Sequence, residues 1–367
     1  MRLTIRVLVV DDSALIRQML TRALSLDPRI EIVGTAKTGV EAIEKVRELD
    51  PDVVTLDIEM PELTGLEALP HIRRCSKARV VMLSSFDDPD TTYRALSLGA
   101  VDFISKPSAG MASSITELSE LVLKKIKTAY RITAEQASAA AEASILHRQE
   151  PEALLGSVVP GRKPTGIVAC VAVAASTGGP PALERMFSGL SASLPAAYLV
   201  VQHLPFGFSA SLARRLSGVC DIPVVEAEDG MQIKPGCGYV APYGAHMAVR
   251  RSAVGATRIR LIDSPPIHGL RPAADPLFES VAHAFGDHAI GVVLSGMGED
   301  GARGAVAIKK AGGDTIVQDE ATSVVWGMPG ATVRLDGARR IVPLGLVSVE
   351  VRRSVRGYLE GGLKPNG

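Results

Sequence analysis

Along the first 127 residues the hydrophobic positions follow two periods in turn. Short β-branched runs, "RVLVV" (6–10), "IEIVGTA" (30–36), "VVTL" (53–56), "RVVMLS" (79–84) and "DFIS" (102–105), read as buried strands. Between them apolar residues recur three and four apart. In "SALIRQMLTRALSL" (13–26), Leu15, Ile16, Met19, Leu20, Ala23 and Leu24 form one helical stripe. "GVEAIEKVREL" (39–49), "GLEALPHIRR" (65–74), "DTTYRALSLGA" (90–100) and a segment near 113–127 repeat that pattern. Apolar strands alternating with amphipathic helices predict a parallel sheet covered on both faces, a flavodoxin-like doubly wound α/β domain over 1–127.

The periodicity fades over 128–165, where Ala, Glu, Gln and Ser give way to Pro and Gly, the composition of an interdomain linker. From 166 the alternation resumes and predicts a second, larger α/β parallel-sheet domain over 166–360. "GIVACVAVAAS" (166–176), "AAYLVVQH" (196–203), "AIGVVLS" (289–295) and "DTIVQDE" (314–320) read as strands. "PPALERMFSGL", a stretch within 208–218, "DPLFESVAHAFG" (275–286), "ARGAVAIKKAGG" and a segment near 347–359 read as helices. The Gly- and β-branched-rich stretch 222–263 predicts antiparallel hairpins.

Composition narrows the class. With 367 residues, 46% hydrophobic and 22% charged, the chain has material for two cores. Lys+Arg and Asp+Glu both total 40, so no basic excess points to nucleic acid. The opening "MRLTIRVLVVDDSAL" is too short and too charged for a secretory or spanning segment, which argues against membrane insertion. Cys75, Cys170, Cys220 and Cys237 lack metal-ligand spacing and fit free thiols in a reducing cytoplasm.

In the first domain Asp11 and Asp12 end the first strand, Asp57 the third, Ser84 the fourth, and Lys106 follows the fifth. Such ends converge at the carboxyl edge of a doubly wound sheet. Three carboxylates crowded there call for a cation, and oxygen-only ligation suits Mg²⁺. Asp57 would then be a nucleophile toward a phosphodonor, with Ser84 and Lys106 holding phosphoryl oxygens. "VVDDS", "LDIEMP", "MLSS" and "SKP" resemble the receiver domain of two-component response regulators over about residues 4–125. The resemblance implies phosphorylation of Asp57, Mg²⁺ held by the acidic pair Asp11 and Asp12 with Asp57 and the Glu59 carbonyl, and a Ser84/Phe103 switch beside Lys106.

In the second domain "VAVAASTGGP" (171–180) stops an apolar strand at Ser176. Ser176 is either a nucleophile at a strand end or a small residue starting the next helix, which Pro180 and Pro181 favour. A nucleophile needs a base and an orienting acid. His71 and His147 lie in the receiver and linker, His246 and His268 in the hairpin region, His283 on a helix, and His288 before a strand. His203 alone ends a strong apolar strand as Ser176 does. Asp300, in "SGMGEDG", follows another strand, with Asp319 as the second candidate acid. Asp300 as a cap of the next helix remains open at this point.

"ASTGGP", "QH", "SGMGEDG" and "SVVWGMPGA" resemble the catalytic domain of the chemotaxis protein-glutamate methylesterase family over about 165–358. That family joins this domain to an N-terminal receiver. The resemblance implies Ser176 as nucleophile, His203 as general base, Asp300 as its orienting acid, and Thr177 with the Met297 amide shaping the site or stabilising the oxyanion. It implies phosphorylation-activated hydrolysis of glutamyl methyl esters on chemotaxis receptors and deamidation of receptor glutamines. A chemotaxis histidine kinase would be the phosphodonor, and the ester chemistry would need no cofactor. The rival readings are a non-enzymatic response regulator and a small-molecule serine esterase. One departure stands out: "HGLRPAADPLF" (268–278) carries Ala273 where a serine is expected.

Overall fold

The computed structural model describes residues 4–84, 89–106, 114–132, 166–252 and 256–360. It divides the chain into two units, Met1–Glu142 and Ala143–Gly367. In the first, the β-branched runs become β1 (Ile5–Val10), β2 (Ile30–Ala36), β3 (Val53–Asp57), β4 (Arg79–Ser84) and β5 (Asp102–Ser105). They pair in parallel in the order β2-β1-β3-β4-β5. The helices are α1 (Ala14–Leu24), α2 (Gly39–Leu49), α3 (Gly65–Cys75), α4 (Pro89–Ser97) and α5 (Ser114–Arg131). Ser13, Thr38 and Thr64 cap the first three, Thr64 in a reciprocal box with Glu67. Helix α5 continues to Arg131, past residue 127, and residues 133–165 of the segment read as linker lie outside the described residues.

The second unit contains β6 (Ala169–Ala175), α6 (Gly179–Ser188), β7 (Ala196–Gln202), α7 (Phe208–Val219), β8 (Val224–Glu226) and β9 (Cys237–Val240). A hairpin of β10 (His246–Arg251) and β11 (Thr257–Ile262) follows, then α8 (Ala274–Phe285) and β12 (Ala289–Val293). The chain continues through α9 (Ala302–Lys310), β13 (Asp314–Gln318), α10 (Gly327–Arg334), β14 (Arg340–Val342) and α11 (Leu344–Leu359). The main sheet is parallel throughout, in the order β14-β13-β12-β6-β7-β9-β8. Every residue of β6, β7, β12 and β13 is buried, which is why these strands read as unbroken apolar runs without alternation. Each buried Val or Leu there contributes roughly 1.5–3 kcal/mol.

The expectation of hairpins across 222–263 is corrected in its first half. Strands β8 and β9 join the main sheet in parallel, Ala197 opposite Cys237 and Val224 opposite Gly238. Their connection crosses over as a loop with no helix, tied down by Gly230 N–H to the Ile259 carbonyl and Lys234 N–H to the Tyr239 hydroxyl. Among the described strands of that stretch β10 and β11 pair antiparallel, and an isolated antiparallel bridge joins Gln232 to Arg258.

Both sheets reverse their winding beside the first strand of the unit, between β1 and β3 and between β6 and β12. A crevice opens at the carboxyl ends of strands where connections leave in opposite directions. Asp11 and Asp57 flank the first such point; Ser176 and the loop carrying Asp300 flank the second.

Candidate active site

Ser176 is the first residue past β6. Its amide donates to the Ser295 carbonyl at 3.0 Å, and its carbonyl accepts from Gly179 N–H at 2.7 Å and Gln202 Nε2 at 2.9 Å. Gly178, at φ +73, turns the chain into α6, with Pro180 and Pro181 in the first turn. The positive end of that helix dipole therefore lies just beyond the serine, which favours negative charge developing nearby. Ser176 is thus both a strand-end residue and the approach to a helix.

His203 follows β7, and its amide donates to the Ala175 carbonyl at 3.1 Å, so the two strand ends are stitched together. Its Nε2 lies 2.8 Å from Asp300 Oδ2. Asp300 is 1% exposed. Its Oδ2 also accepts from Ala274 N–H at 2.6 Å, and its Oδ1 accepts from Asp275 N–H at 3.1 Å and Gly301 N–H at 3.0 Å. Burial opposes the charge, yet the His203 ring and the amides of Ala274 and Asp275 hold the carboxyl below the usual carboxylate range. The carboxylate obliges Nε2 to carry the proton and leaves Nδ1 as the basic nitrogen. The Ser176 hydroxyl makes no hydrogen bond among the described residues, a looseness common before substrate arrives.

The loop 296–301 walls the site. A Cβ on Gly296 would meet Met328 Sδ at 2.2 Å, Ser176 Cβ at 3.0 Å and Ser176 N at 3.1 Å. A Cβ on Gly327 would meet the Gly296 carbonyl oxygen at 2.7 Å and Gly298 N at 2.9 Å. Two glycines about thirty residues apart thus let the start of α10 press on the loop that carries Met297. Gly296 N–H donates to the Val325 carbonyl, and Gly327 and Met328 N–H donate to the Gly296 carbonyl. Thr177 is buried beside this wall, its carbonyl accepting from Ser295 Oγ at 2.8 Å.

Ser295, Gln202 and Gln318 carry no motif that marks a role for them in the sequence. Gln318 Oε1 accepts from Ser295 N–H at 2.8 Å, and Ser295 Oγ accepts from Val325 N–H at 3.0 Å. Only the polar character of residues at buried strand ends marked them beforehand.

The other candidates fall away from the serine. Asp319 Oδ1 accepts from Thr322 N–H and its hydroxyl, closing its own turn. His246 is fully buried and accepts from Ala273 N–H. His283 is exposed on α8, and His288 stacks on Tyr358 with Nδ1 against the Val168 carbonyl, at the opposite sheet edge. His268, Asp275 and Asp300 also cluster, with His268 Nε2 3.5 Å from Asp275 Oδ2. Four donors already occupy the Asp300 oxygens, so the cluster is a hydrogen-bonded support for the acid.

At the first switch point Lys106 Nζ lies 2.9 Å from Asp11 Oδ2 and 2.6 Å from Asp57 Oδ2. Burial pushes the Asp57 carboxyl up to about 6, with Lys106 pulling against it and Asp11 adding to it. Burial works against the Lys106 charge as well, but its hydrogen bonds to the two carboxylates raise its pKa overall. One carboxylate oxygen from each of Asp11, Asp12 and Asp57 lies within 4.8 Å of the others. The buried Asp11 Oδ2 and Asp57 Oδ2 each meet the Lys106 ammonium and no other hydrogen-bond donor among the described residues, so each oxygen keeps a lone pair for a further ligand. An oxygen-only donor set with unsatisfied lone pairs fits Mg²⁺. Glu59 N–H donates to Asp57 Oδ1 at 3.3 Å. The Ser84 hydroxyl, at the end of β4, shares a 2.6 Å hydrogen bond with Thr92, and Phe103 is buried.

The family model described as CheB methylesterase matches residues 171–351, and that described as response regulator receiver domain matches residues 7–117. The protein-glutamate methylesterase/protein-glutamine glutaminase of Symbiobacterium thermophilum is 45% identical, covering 96% of this chain and 97% of its own. The protein of that name from Pyrococcus horikoshii is 43% identical, covering 98% of this chain and 95% of its own. A crystal structure of the Thermotoga maritima CheB methylesterase catalytic domain is 36% identical, covers 51% of this chain and 97% of that one, and has a TM-score of 0.49. With such identity over nearly the whole of both curated relatives, the chain belongs to the family of protein-glutamate methylesterases/protein-glutamine glutaminases.

Proposed function

We propose that this protein hydrolyses γ-glutamyl methyl esters on methyl-accepting chemotaxis receptors, releasing methanol and regenerating glutamate, and that it deamidates receptor glutamines by the same chemistry. The observation that carries the reading is the convergence of Ser176, His203 and Asp300 at one switch point, with a 2.8 Å bond from histidine to a buried, four-fold hydrogen-bonded carboxylate. A module that only binds receptors needs no such pair beneath a strand-end serine.

The Ser176 hydroxyl gives its proton to His203 Nδ1 while Oγ attacks the ester carbonyl carbon. The tetrahedral intermediate collapses, the C–O bond to the methoxy group breaks, and His203 returns the proton to the leaving oxygen, so methanol departs. A water then gives a proton to the same nitrogen and attacks the acyl-serine. The second collapse restores Ser176 and leaves the glutamate carboxylate. With a glutamine side chain the leaving group is ammonia. Asp300 keeps the His203 ring oriented and stabilises it when doubly protonated. Thr177 and the Met297 amide are the groups assigned to the oxyanion, where such donors are worth about 3–4 kcal/mol.

Control comes from Asp57, which takes a phosphoryl group from a chemotaxis histidine kinase and raises the hydrolase rate. Asp11, Asp12, Asp57 and the Glu59 carbonyl would hold a Mg²⁺ ion, which neutralises carboxylate and phosphate charge when bound. Lys106 would hold the phosphoryl oxygens, and Ser84 with Phe103 would report the modification. Among the described residues no helix is long and apolar enough to cross a membrane. The reading places the protein in the cytoplasm.

The test is release of methanol from membranes carrying methylated chemotaxis receptors, with mass spectrometry of receptor peptides for glutamine-to-glutamate conversion. Methanol release with loss of the methyl mass is the expected result. Hydrolysis of small esters with receptors left untouched would support the small-molecule esterase instead.

A further inference from the structure

The outer end of the β10–β11 hairpin gathers four arginines around a groove of about 360 Å³, lined by Arg250, Arg251, Arg258 and Arg260 with Gly230 and Ser252. All four are exposed. The register places Arg250 directly opposite Arg258, and Ala248 opposite Arg260, so three guanidinium groups share one face. Like charges directly opposite on a sheet destabilise it. Among the described residues the compensation is slight: Asp229 lies 3.7 Å from Arg260, and Arg258 donates to the Gly230 carbonyl. No ion pair among the described residues holds Arg250, Arg251 or Arg258. With 40 basic and 40 acidic residues in the chain, this is a local concentration of charge and not a general excess.

The same hairpin leads back to the catalytic crevice. At its inner end His246 accepts from Ala273 N–H, and the next residue, Ala274, donates to Asp300. Arg250 lies four residue steps of extended strand from His246, a reach of ~13 Å.

The geometry points to a substrate-docking surface: the Arg250/Arg258/Arg260 face, with Arg251 at the rim of the groove, binds carboxylates on an acidic stretch of the protein substrate while the scissile ester lies over Ser176. The inference rests on the reading of the chain as a hydrolase of protein glutamyl esters. It gives that reading a recognition rule, because each ester cleaved leaves a carboxylate of the kind this face attracts. Guanidinium forks match carboxylates bidentately, and a cluster of them speeds encounter with an acidic partner. The chain's zero net charge favours an acidic protein segment over nucleic acid, whose binders carry a broad positive field.

The experiment uses the full-length protein and methylated receptor membranes, comparing wild type with Arg250→Glu/Arg258→Glu and the milder Arg250→Gln/Arg258→Gln. KM should rise by about tenfold or more in the reversed pair, with kcat within about twofold, and the salt dependence of KM should flatten. Arg250→Lys/Arg258→Lys should recover most of the loss. In parallel, fluorescence anisotropy of a labelled octaglutamate peptide should show binding to wild type and not to the reversed pair. Inorganic phosphate, anionic lipid vesicles and duplex DNA serve as competitors. Unchanged KM in both pairs, equal peptide binding by wild type and variant, or preference for DNA or vesicles over the peptide would overturn the inference. Failure of wild type to release methanol overturns the esterase reading itself; release by wild type with no KM change in the variants overturns only the role of the arginines.

Discussion

His203 Nε2 lies 2.8 Å from Asp300 Oδ2, and the same oxygen accepts the Ala274 amide at 2.6 Å. The acid proposed for the triad is therefore also the cap of α8. The helix has no side-chain cap of its own at Ala273. Its first two amides both end on Asp300, so the site and the packing of α8 stand or fall together.

Asp300→Asn tests the electrostatic half of this arrangement. An amide can satisfy some of the donors, but it no longer fixes which His203 nitrogen carries the proton. The expected loss in kcat is roughly 10³–10⁴-fold with KM little altered, the scale seen when a triad acid becomes an amide. Stability follows pH in a defined direction. Because the folded carboxyl sits below its ordinary value, its contribution is complete above about pH 4 and is lost as pH falls through the folded value. Urea unfolding should thus show wild type exceeding Asp300→Asn near neutral pH, with the gap closing in acid.

Ala273→Ser tests the capping half. Ala273 has extended geometry suited to a capping serine, φ −113 and ψ 151. Yet Ala274 and Asp275 N–H are taken by Asp300, and the next residue, Pro276, has none to give. The departure from the expected serine is explained on this account, and restoring it should change stability by less than about 0.5 kcal/mol instead of the ~1 kcal/mol a free cap supplies. A rise in the thermal midpoint of about 3 °C or more would mean those amides are unsatisfied in solution.

Gly296→Ala probes the wall behind the nucleophile. The new methyl would meet Met328 Sδ at 2.2 Å and Ser176 at 3.0–3.1 Å. The methionine can swing away, but the Ser176 backbone is pinned by Ser295, Gly179 and Gln202. A cost of about 1–3 kcal/mol in stability is expected from overpacking. A fall in kcat of at least about tenfold should accompany it, since small displacements of a reacting group are expensive.

In the receiver, Lys106→Met removes the ammonium bridging Asp11 and Asp57. Two buried carboxylates are left together, and breaking such a pairing costs about 3–5 kcal/mol. The Asp57 carboxyl already titrates near 6, above its ordinary value, so its ionisation opposes folding. That cost is absent below about pH 4 and complete above the folded value, and losing Lys106 enlarges it. Thermal unfolding of the variant should accordingly show a larger deficit at pH 8 than at pH 5, and added Mg²⁺ should reduce it. Equal deficits at both pH values would contradict the role assigned to the lysine.

The strand ends were legible because fully buried parallel strands announce themselves as apolar runs, and the first polar residue after each must reach the carboxyl edge. Ser176, Asp57 and Asp11 follow from that rule, and His203 stands one residue further on, after Gln202. Asp300 required one more step, since six residues of glycine-rich loop separate it from Val293, the last residue of β12. Asp300 is not the side-chain cap of the following helix, since α9 has Gly301 at its N-cap with no side-chain cap; it receives instead the first amides of α8, which precedes it in the chain. Strands β8 and β9 were misread because three- and four-residue strands carry no usable period. Their crossover lacks the helix that signals parallel pairing. The Gly296–Gly327 contact and the Gln318–Ser295 bond join segments far apart in the chain, and no local pattern encodes them.

The central claim is covalent catalysis by Ser176. Methanol release from methylated receptor membranes should be measured for wild type and Ser176→Ala, each with and without a small phosphodonor. Wild type should release methanol faster with the donor, while Ser176→Ala falls by roughly 10⁴-fold or more under both conditions. Equal release by the two proteins would contradict the account.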